Sequence, residues 1–480
     1  MKNMMRTGEE YINALCDGRT VFINGESITN HVDHPAFRNS IRTIANLYDY
    51  KIAHADEMAF KTEDGKQMSL HWQLPTTPER LIARGYFSYE WAKQTAGWVG
   101  KGPNHVASML VGMMTHIELL ESHSPERANA FRDYFAYASE NDLYLTHALV
   151  NPQGDRSKTP GEHTKNLYHS LGIVEKNDKG IIVRGAKMLA TGAVLADEVL
   201  VGAQKPLKQG IDERYALCFA MPLNAKGIKI IARNSYEFGK NAKDYPLSSR
   251  FDENDSMLYF DDVLVPWERV FICEDIDAIF NLMGVTAAPV LMDIQSMARY
   301  VVKLHFLAGL AQEMTEINGV DQLPAVKESL AQLASYAMNI EGLFKGVLHC
   351  PEVHNGYYLP NRTQLSVYQV ISQSLYPKVM ETIRKLAGGG ILMLPSGEAD
   401  LENDEILAFI EKSQYSSITS PVERIRMMKL VWDAVGSEFA SRHQQYELFY
   451  TGAPYQTLAR LYHQYNWQAS KELVEKIKML

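Results

Sequence analysis

The chain predicts a mainly α-helical protein with a central β domain, and three observations carry that expectation. Apolar residues recur at three-to-four spacing before about residue 143 and again after about residue 274. Between these stretches, short β-branched and aromatic runs alternate with turn residues, the pattern of an antiparallel sheet or barrel. At 480 residues the chain exceeds one compact core, so a helical domain over 1–143, a β domain over 144–273 and a second helical domain over 274–480 are expected.

Thr7 before Gly8-Glu9-Glu10 reads as a capped helix start, and Asp17-Gly18 and Asn24-Gly25 read as turns. Phe87–Trp98 and Val106–Leu120 carry helical periodicity. Between them Pro103 follows Gly102, which suits a first helical turn. The strand candidates are Ile181–Arg184, Glu198–Val201, Tyr215–Phe219, Gly227–Ile231 and Met257–Phe260. Tyr245–Asp255 is a polar loop too rich in particular side chains to serve only as a spacer. Ile294–Glu313 and Ala325–Leu348 read as long buried helices, apolar nearly all round. Leu386-Ala387 before three glycines reads as a helix end, and Pro421–Val435 and Leu458–Leu480 as further helices.

A formal charge of −9 with no basic cluster argues against nucleic acid as a partner. Cys16, Cys218, Cys273 and Cys350 lie far apart without a CxxC pair, which argues against a disulfide scaffold and against zinc or iron–sulfur sites. No HExxH occurs, and His31/His34 and His349/His354 lack further ligands nearby, so no metal is expected. Met1–Arg6 lacks the apolar core of a signal peptide, and no run of about 18 apolar residues is seen. A cytoplasmic protein without membrane contact is the expectation.

The helix-to-strand junction, Asp142–Ser157, concentrates chemistry: an imidazole (His147), an Asn151–Gly154 turn and the pair Asp155, Arg156. His147 reads either as a backbone-bonded buried histidine or as an acid/base group facing a ligand. Lys101 and His105 bracket Gly102-Pro103. They read either as loop residues or as cations beside the positive end of a helix, where an anion is favoured. Thr191, before Gly192-Ala193, places a hydroxyl among small residues that admit a flat ring, or simply forms a tight turn. Neither GxGxxG after a strand nor GxxxxGK[ST] is present.

Together with Thr7–Tyr11, His34–Asn39, Gly97–Gly100, Thr146–Pro152, Asp244–Asp255, Val263–Glu268 and Trp432–His443, these residues resemble the oxygenase component of the 4-hydroxyphenylacetate 3-monooxygenase family. The likeness runs over nearly the whole chain. It implies an acyl-CoA-dehydrogenase-like fold with a β-barrel middle domain and a C-terminal four-helix bundle, assembled as a homotetramer. It also implies FAD, taken as FADH2 from a separate NAD(P)H:flavin reductase, with O2 as co-substrate. Oxygen would be carried as a flavin C4a-hydroperoxide to the carbon ortho to a phenol hydroxyl in a water-excluding site.

By that resemblance the flavin contacts are His147, Ala148 and Leu149, then Gln153, Gly154, Asp155 and Arg156, then Thr191, and finally Thr451, Gly452, Ala453 and Pro454. Arg156 would offset the charge of reduced flavin, and Thr191 would donate a hydrogen bond to it. The catalytic and substrate-binding set is His147 with Lys101 and His105, which stand where the family carries arginine and tyrosine. Lysine keeps the charge without the planar fork, and histidine replaces a phenol with a shorter titratable ring. The implied substrate is an electron-rich aromatic other than 4-hydroxyphenylacetate. A lid over Ala203–Glu213 would bring Gln204 and Lys205 to it. The alternatives are a 4-hydroxyphenylacetate hydroxylase itself, or an iron–sulfur-free relative of 4-hydroxybutyryl-CoA dehydratase.

Overall fold

The β-branched runs fold into two open sheets. A computed structural model describes residues 4–203 and 206–479 of the chain. Its strands are β1 (Thr20–Ile23), β2 (Glu26–Ile28), β3 (Ala59–Lys61), β4 (Gln67–Ser69), β5 (Leu145–Ala148), β6 (Gly172–Asn177), β7 (Gly180–Thr191), β8 (Glu198–Val201), β9 (Leu217–Pro222), β10 (Ile228–Ala232), β11 (Asp255–Pro266) and β12 (Val270–Cys273), followed by a short hairpin of β13 (Glu352–His354) and β14 (Tyr357–Leu359). One sheet runs β2-β1-β10-β11-β7-β6 and the other β12-β9-β8-β5, while β3 and β4 form a separate hairpin.

Val21, Ile181, Val183, Ile230 and Val265 of the first sheet share one core with Val199, Val201 and Phe219 of the second. The implied barrel is therefore a pair of sheets over a common core. Among the described residues the ring stays open, since the first sheet ends at β2 and β6 and the second at β12 and β5. The Asn24-Gly25 turn joins them with φ of 52° and 82°, the left-handed pair that a two-residue hairpin needs. β1 then pairs in parallel with β10, so the segment between the two expected turns contributes a strand.

Thr7 caps the Gly8–Leu15 helix in a full capping box with Glu10. The expected Val106–Leu120 helix is two, Asn104–Met114 and Ile117–His123. The break falls where the Thr115 hydroxyl takes the Gly112 carbonyl at 2.9 Å, a back-bond that bends helices. Ala288–Ile317 is buried on every side from Val290 to Leu304. Ile276–Ile317 is long and apolar enough to cross a bilayer, but most of its apolar window is buried, as in a core helix. Pro324–His349 departs from the expectation: it buries a single stripe, Leu333, Ala337, Ile340, Phe344 and Val347, and leaves Met338 67% exposed.

The Arg362–Ala387 helix stops at Gly388 with φ 61°, and Pro421–Val435 is a helix as read. The expected Leu458–Leu480 helix is divided into Pro454–Gln464 and Trp467–Lys478, because Asn466 caps the second at Ala469 N. The chain forms two compact units, Met1–Lys303 with Val353–Leu359, and Leu304–Glu352 with Pro360–Leu480.

Candidate functional site

Lys101, His105 and His147 come together in the first unit. The Asn104–Met114 helix starts directly after Pro103, and every residue from Asn104 to Met113 is buried, so this helix start is fixed by packing on all sides. His105, on its first turn, lies 5.4 Å centre to centre from His147, which β5 presents one residue after Thr146. The peptide of Lys101 is held from both ends. The buried Glu253 carboxylate accepts its N–H, and the Tyr144 hydroxyl donates to its carbonyl at 2.7 Å. Gln295, on the Ala288–Ile317 helix, meets His105 Nδ1 with Oε1 at 3.0 Å and donates from Nε2 to the Gly100 carbonyl at 3.2 Å.

These imidazoles are kept neutral. Burial, then the neighbouring Lys101 ammonium and Arg299 guanidinium, bring the His105 pKa down to about 3, against a smaller upward pull from Gln295. Burial, then Lys101 and His105, hold His147 well below the usual histidine range. Its Nδ1 is buried with no hydrogen-bond partner among the described residues. A cation beside two uncharged rings is suited to receive an oxyanion or a polarised hydroxyl.

Thr191 closes β7 next to this cluster. Its carbonyl accepts from the Thr146 hydroxyl at 2.7 Å, which ties it to β5. Its own hydroxyl donates to Asp255 Oδ1 at 2.7 Å. The resemblance implied a donor to the flavin ring at this position; in this structure the Thr191 proton faces a carboxylate and its lone pairs remain to accept. A bulge where β7 meets β11, with Leu189 at φ 59°, sets the direction of this segment. A Cβ on Gly192 would stand 2.7 Å from the Tyr144 hydroxyl, so the residue after Thr191 must be glycine for space as well as for its φ of 75°.

Lys187, two residues before the bulged Leu189, is 2% exposed and reaches back to the junction. Its Nζ donates to Asn151 Oδ1 at 2.7 Å and to the Leu149 carbonyl at 3.4 Å. Burial brings its pKa down to about 7. The junction is also anchored at its start, where buried Asp142 accepts from Lys51 Nζ, from Arg6 N at 3.1 Å and from Trp72 Nε1 at 3.2 Å.

Ala148 and Leu149 are buried directly after His147, while Gln153, Gly154, Asp155 and Arg156 are exposed on the following loop. Gln204 and Lys205 lie outside the described residues. The segment after them is pinned by Asp212, which accepts from Lys208 N and Gly161 N at 2.7 and 2.6 Å. Thr451, Gly452, Ala453 and Pro454 belong to the second unit. There Gln373 Nε2 donates to the Gly452 carbonyl at 2.7 Å and fixes the turn. Among the described residues no three His, Cys, Asp or Glu side chains converge as a metal site.

Sequence reading missed Tyr144, Lys187, Glu253, Asp255 and Gln295. Two of them lie in the polar loop singled out for its unusual side chains. Gln295 had a weaker signal, a polar residue inside a long apolar helix.

The profile described as "4-hydroxyphenylacetate 3-hydroxylase N terminal" matches residues 7–272, and its "C terminal" counterpart matches residues 281–478. The chain is 32% identical to a 4-hydroxyphenylacetate 3-monooxygenase oxygenase component of Geobacillus sp. (strain PA-9), across 99% of this chain and 97% of the relative. It is 33% identical to the oxygenase component of a 4-nitrophenol 2-monooxygenase of Rhodococcus sp., across 93% of this chain and 86% of the relative. The crystal structure of an oxygenase component complexed with FAD and 4-hydroxyphenylacetate superposes with a TM-score of 0.92 at 32% identity, covering 98% of each chain.

Proposed function

The chain belongs to the 4-hydroxyphenylacetate 3-hydroxylase family, and from that premise we propose that it is the oxygenase component of a two-component, FADH2-dependent monooxygenase that hydroxylates a phenol other than 4-hydroxyphenylacetate, ortho to its hydroxyl. The observation that carries this reading is the clustering of Lys101 with two neutral imidazoles, His105 and His147. The ammonium attracts the oxygen of the protonated phenol, whose own lone pair enriches the ring in electrons at the ortho carbon. The imidazoles orient that oxygen without competing positive charge. Burial of the whole helix start keeps water from the reacting carbon.

The residues near this cluster fit a flavin. His147 keeps a buried nitrogen with no hydrogen-bond partner among the described residues, and Thr191 offers a lone pair. His147, Ala148, Leu149 and Thr191 would line the ring system, Gln153–Arg156 would meet its polar groups with Arg156 as the compensating cation, and Thr451–Pro454 would add a C-terminal contact. FAD, when bound in its reduced form, supplies the electrons that activate O2. The same proposal holds that a separate reductase delivers it, that the protein acts in the cytoplasm as a homotetramer, and that the chain divides at 143/144 and 273/274.

The dehydratase of which the alternative is an iron–sulfur-free relative holds a cluster with three cysteines and a histidine. The structure leaves Cys16, Cys218, Cys273 and Cys350 as separate free thiols. The deciding experiment mixes the protein with an NADH:FAD reductase, 18O2 and a panel of phenols that includes 4-hydroxyphenylacetate. Product mass with one 18O atom on the carbon ortho to the hydroxyl is expected. Oxygen uptake that yields only hydrogen peroxide with every phenol, or fastest turnover of 4-hydroxyphenylacetate, refutes the corresponding part.

A further inference from the structure

Gln295 sits between two groups of unequal chemistry, and that inequality fixes the hydrogen positions around it. The Gly100 carbonyl can only accept, so the side-chain amine of Gln295 must face it, as the 3.2 Å contact requires. The amide oxygen of Gln295 is thereby turned to His105, 3.0 Å from Nδ1. An amide oxygen can only accept, so Nδ1 must carry the hydrogen. Gln295 and His105 are 5% and 1% exposed, so bulk water does not scramble this order.

We propose that Gln295 is a positioning residue that locks His105 as the Nδ1–H tautomer, so that the ring presents the lone pair of Nε2 and selects ligands that meet it with a hydroxyl or N–H donor. This rests on the reading that His105 lines the substrate pocket. A neutral imidazole carries one N–H, and here it is spent on Gln295. Burial, together with Lys101 and Arg299, disfavours a second proton. The substrate group that meets His105 is then a protonated phenol or an amide-like N–H, while an ether, ester oxygen or carboxylate meets lone pair with lone pair. Such unpaired contacts in buried sites discriminate strongly between ligands of the same shape.

The test needs no turnover. In FAD-free protein labelled with 15N-histidine, the His105 signals are assigned by their loss in His105→Gln. A protonated Nδ1 and an unprotonated Nε2 are expected at pH 7, and an Nε2–H form should appear in Gln295→Met. An Nε2–H or doubly protonated ring in the unmodified protein overturns the proposal. As a second arm, 4-methylphenol, which keeps its proton at pH 7, should bind at least about tenfold tighter than 4-methylanisole, equivalent to about 1.4 kcal/mol. Equal affinity for the two, or none for either, overturns the selection. Failure to hydroxylate any phenol would leave the 15N spectrum as it is, and so counts against the proposed reaction and not against the tautomer.

Discussion

The Thr191 hydroxyl donates to the Asp255 carboxylate at 2.7 Å, and the other oxygen of that carboxylate accepts from Arg233 Nε at 3.1 Å. Asp252 takes a second nitrogen of the same guanidinium at 2.7 Å. The four-residue segment Asp252–Asp255 therefore holds Thr191 through Asp255 and Lys101 through Glu253, and is itself anchored on Arg233.

Removing the acceptor of Thr191 should loosen the flavin more than the substrate. For Asp255→Ala, the loss of one hydrogen bond to a charged group, about 1.5–3 kcal/mol, predicts at least tenfold weaker binding of reduced FAD and more hydrogen peroxide released per NADH oxidised. Asp255→Asn keeps an acceptor and should recover most of the affinity. Anaerobic titration with reduced FAD measures both, and equal affinity in the alanine variant would defeat this role for Asp255.

Glu253→Ala should act on the substrate side. It strands the Lys101 N–H in a partly buried place, at a cost of about 1 kcal/mol or more. A KM for the phenol raised roughly tenfold, with FAD affinity within about twofold of the unmodified protein, is the expected split. Glu253→Gln, which retains an acceptor, should restore KM. A parallel loss of FAD affinity would mean that the loop is merely unfolded.

Acid should destabilise the protein through His105. Its folded pKa, about 3, lies below the unfolded value of 6.5, so the unfolded chain binds more protons at acid pH and stability is lost as pH falls below 6.5 toward 3. Between pH 7 and pH 5 this amounts to about 2 kcal/mol. Urea unfolding at the two pH values should show that loss reduced by about this amount in His105→Gln. An unchanged pH dependence would show that the ring is protonated in the fold.

Lys187 carries the same sign at higher pH. Its pKa falls from 10.5 to about 7 on folding, so the cost of burying its charge is complete below pH 7 and disappears as pH rises toward 10.5. From pH 6 to pH 9 the unmodified protein should gain about 2–3 kcal/mol relative to Lys187→Met. Parallel stability curves for the two proteins would refute the depressed pKa. The variant should also free Asn151 and raise the mobility of the loop at Gln153–Arg156, visible as faster backbone hydrogen exchange there.

Local chemistry made much of the fold legible. The capped start at Thr7, the Asn24-Gly25 hairpin turn, the glycine stop after Ala387 and the Pro421–Val435 helix each depend on residues within a turn of one another. The helical, β, helical order followed from periodicity for the same reason. The helices read too long, Val106–Leu120 and Leu458–Leu480, failed at one residue each, where the Thr115 hydroxyl or the Asn466 side chain competed for backbone partners.

By itself, then, the sequence determined the succession of elements, the family, and which titratable side chains stand at the junction and the helix start. Only the tertiary structure decided their states. The acceptor for Lys101 N lies 152 residues away at Glu253, and the partner of His105 lies 190 residues away at Gln295, distances over which no spacing or periodicity carries information. Burial, which no single residue controls, turned His105 and His147 into neutral rings and committed the Thr191 proton to Asp255.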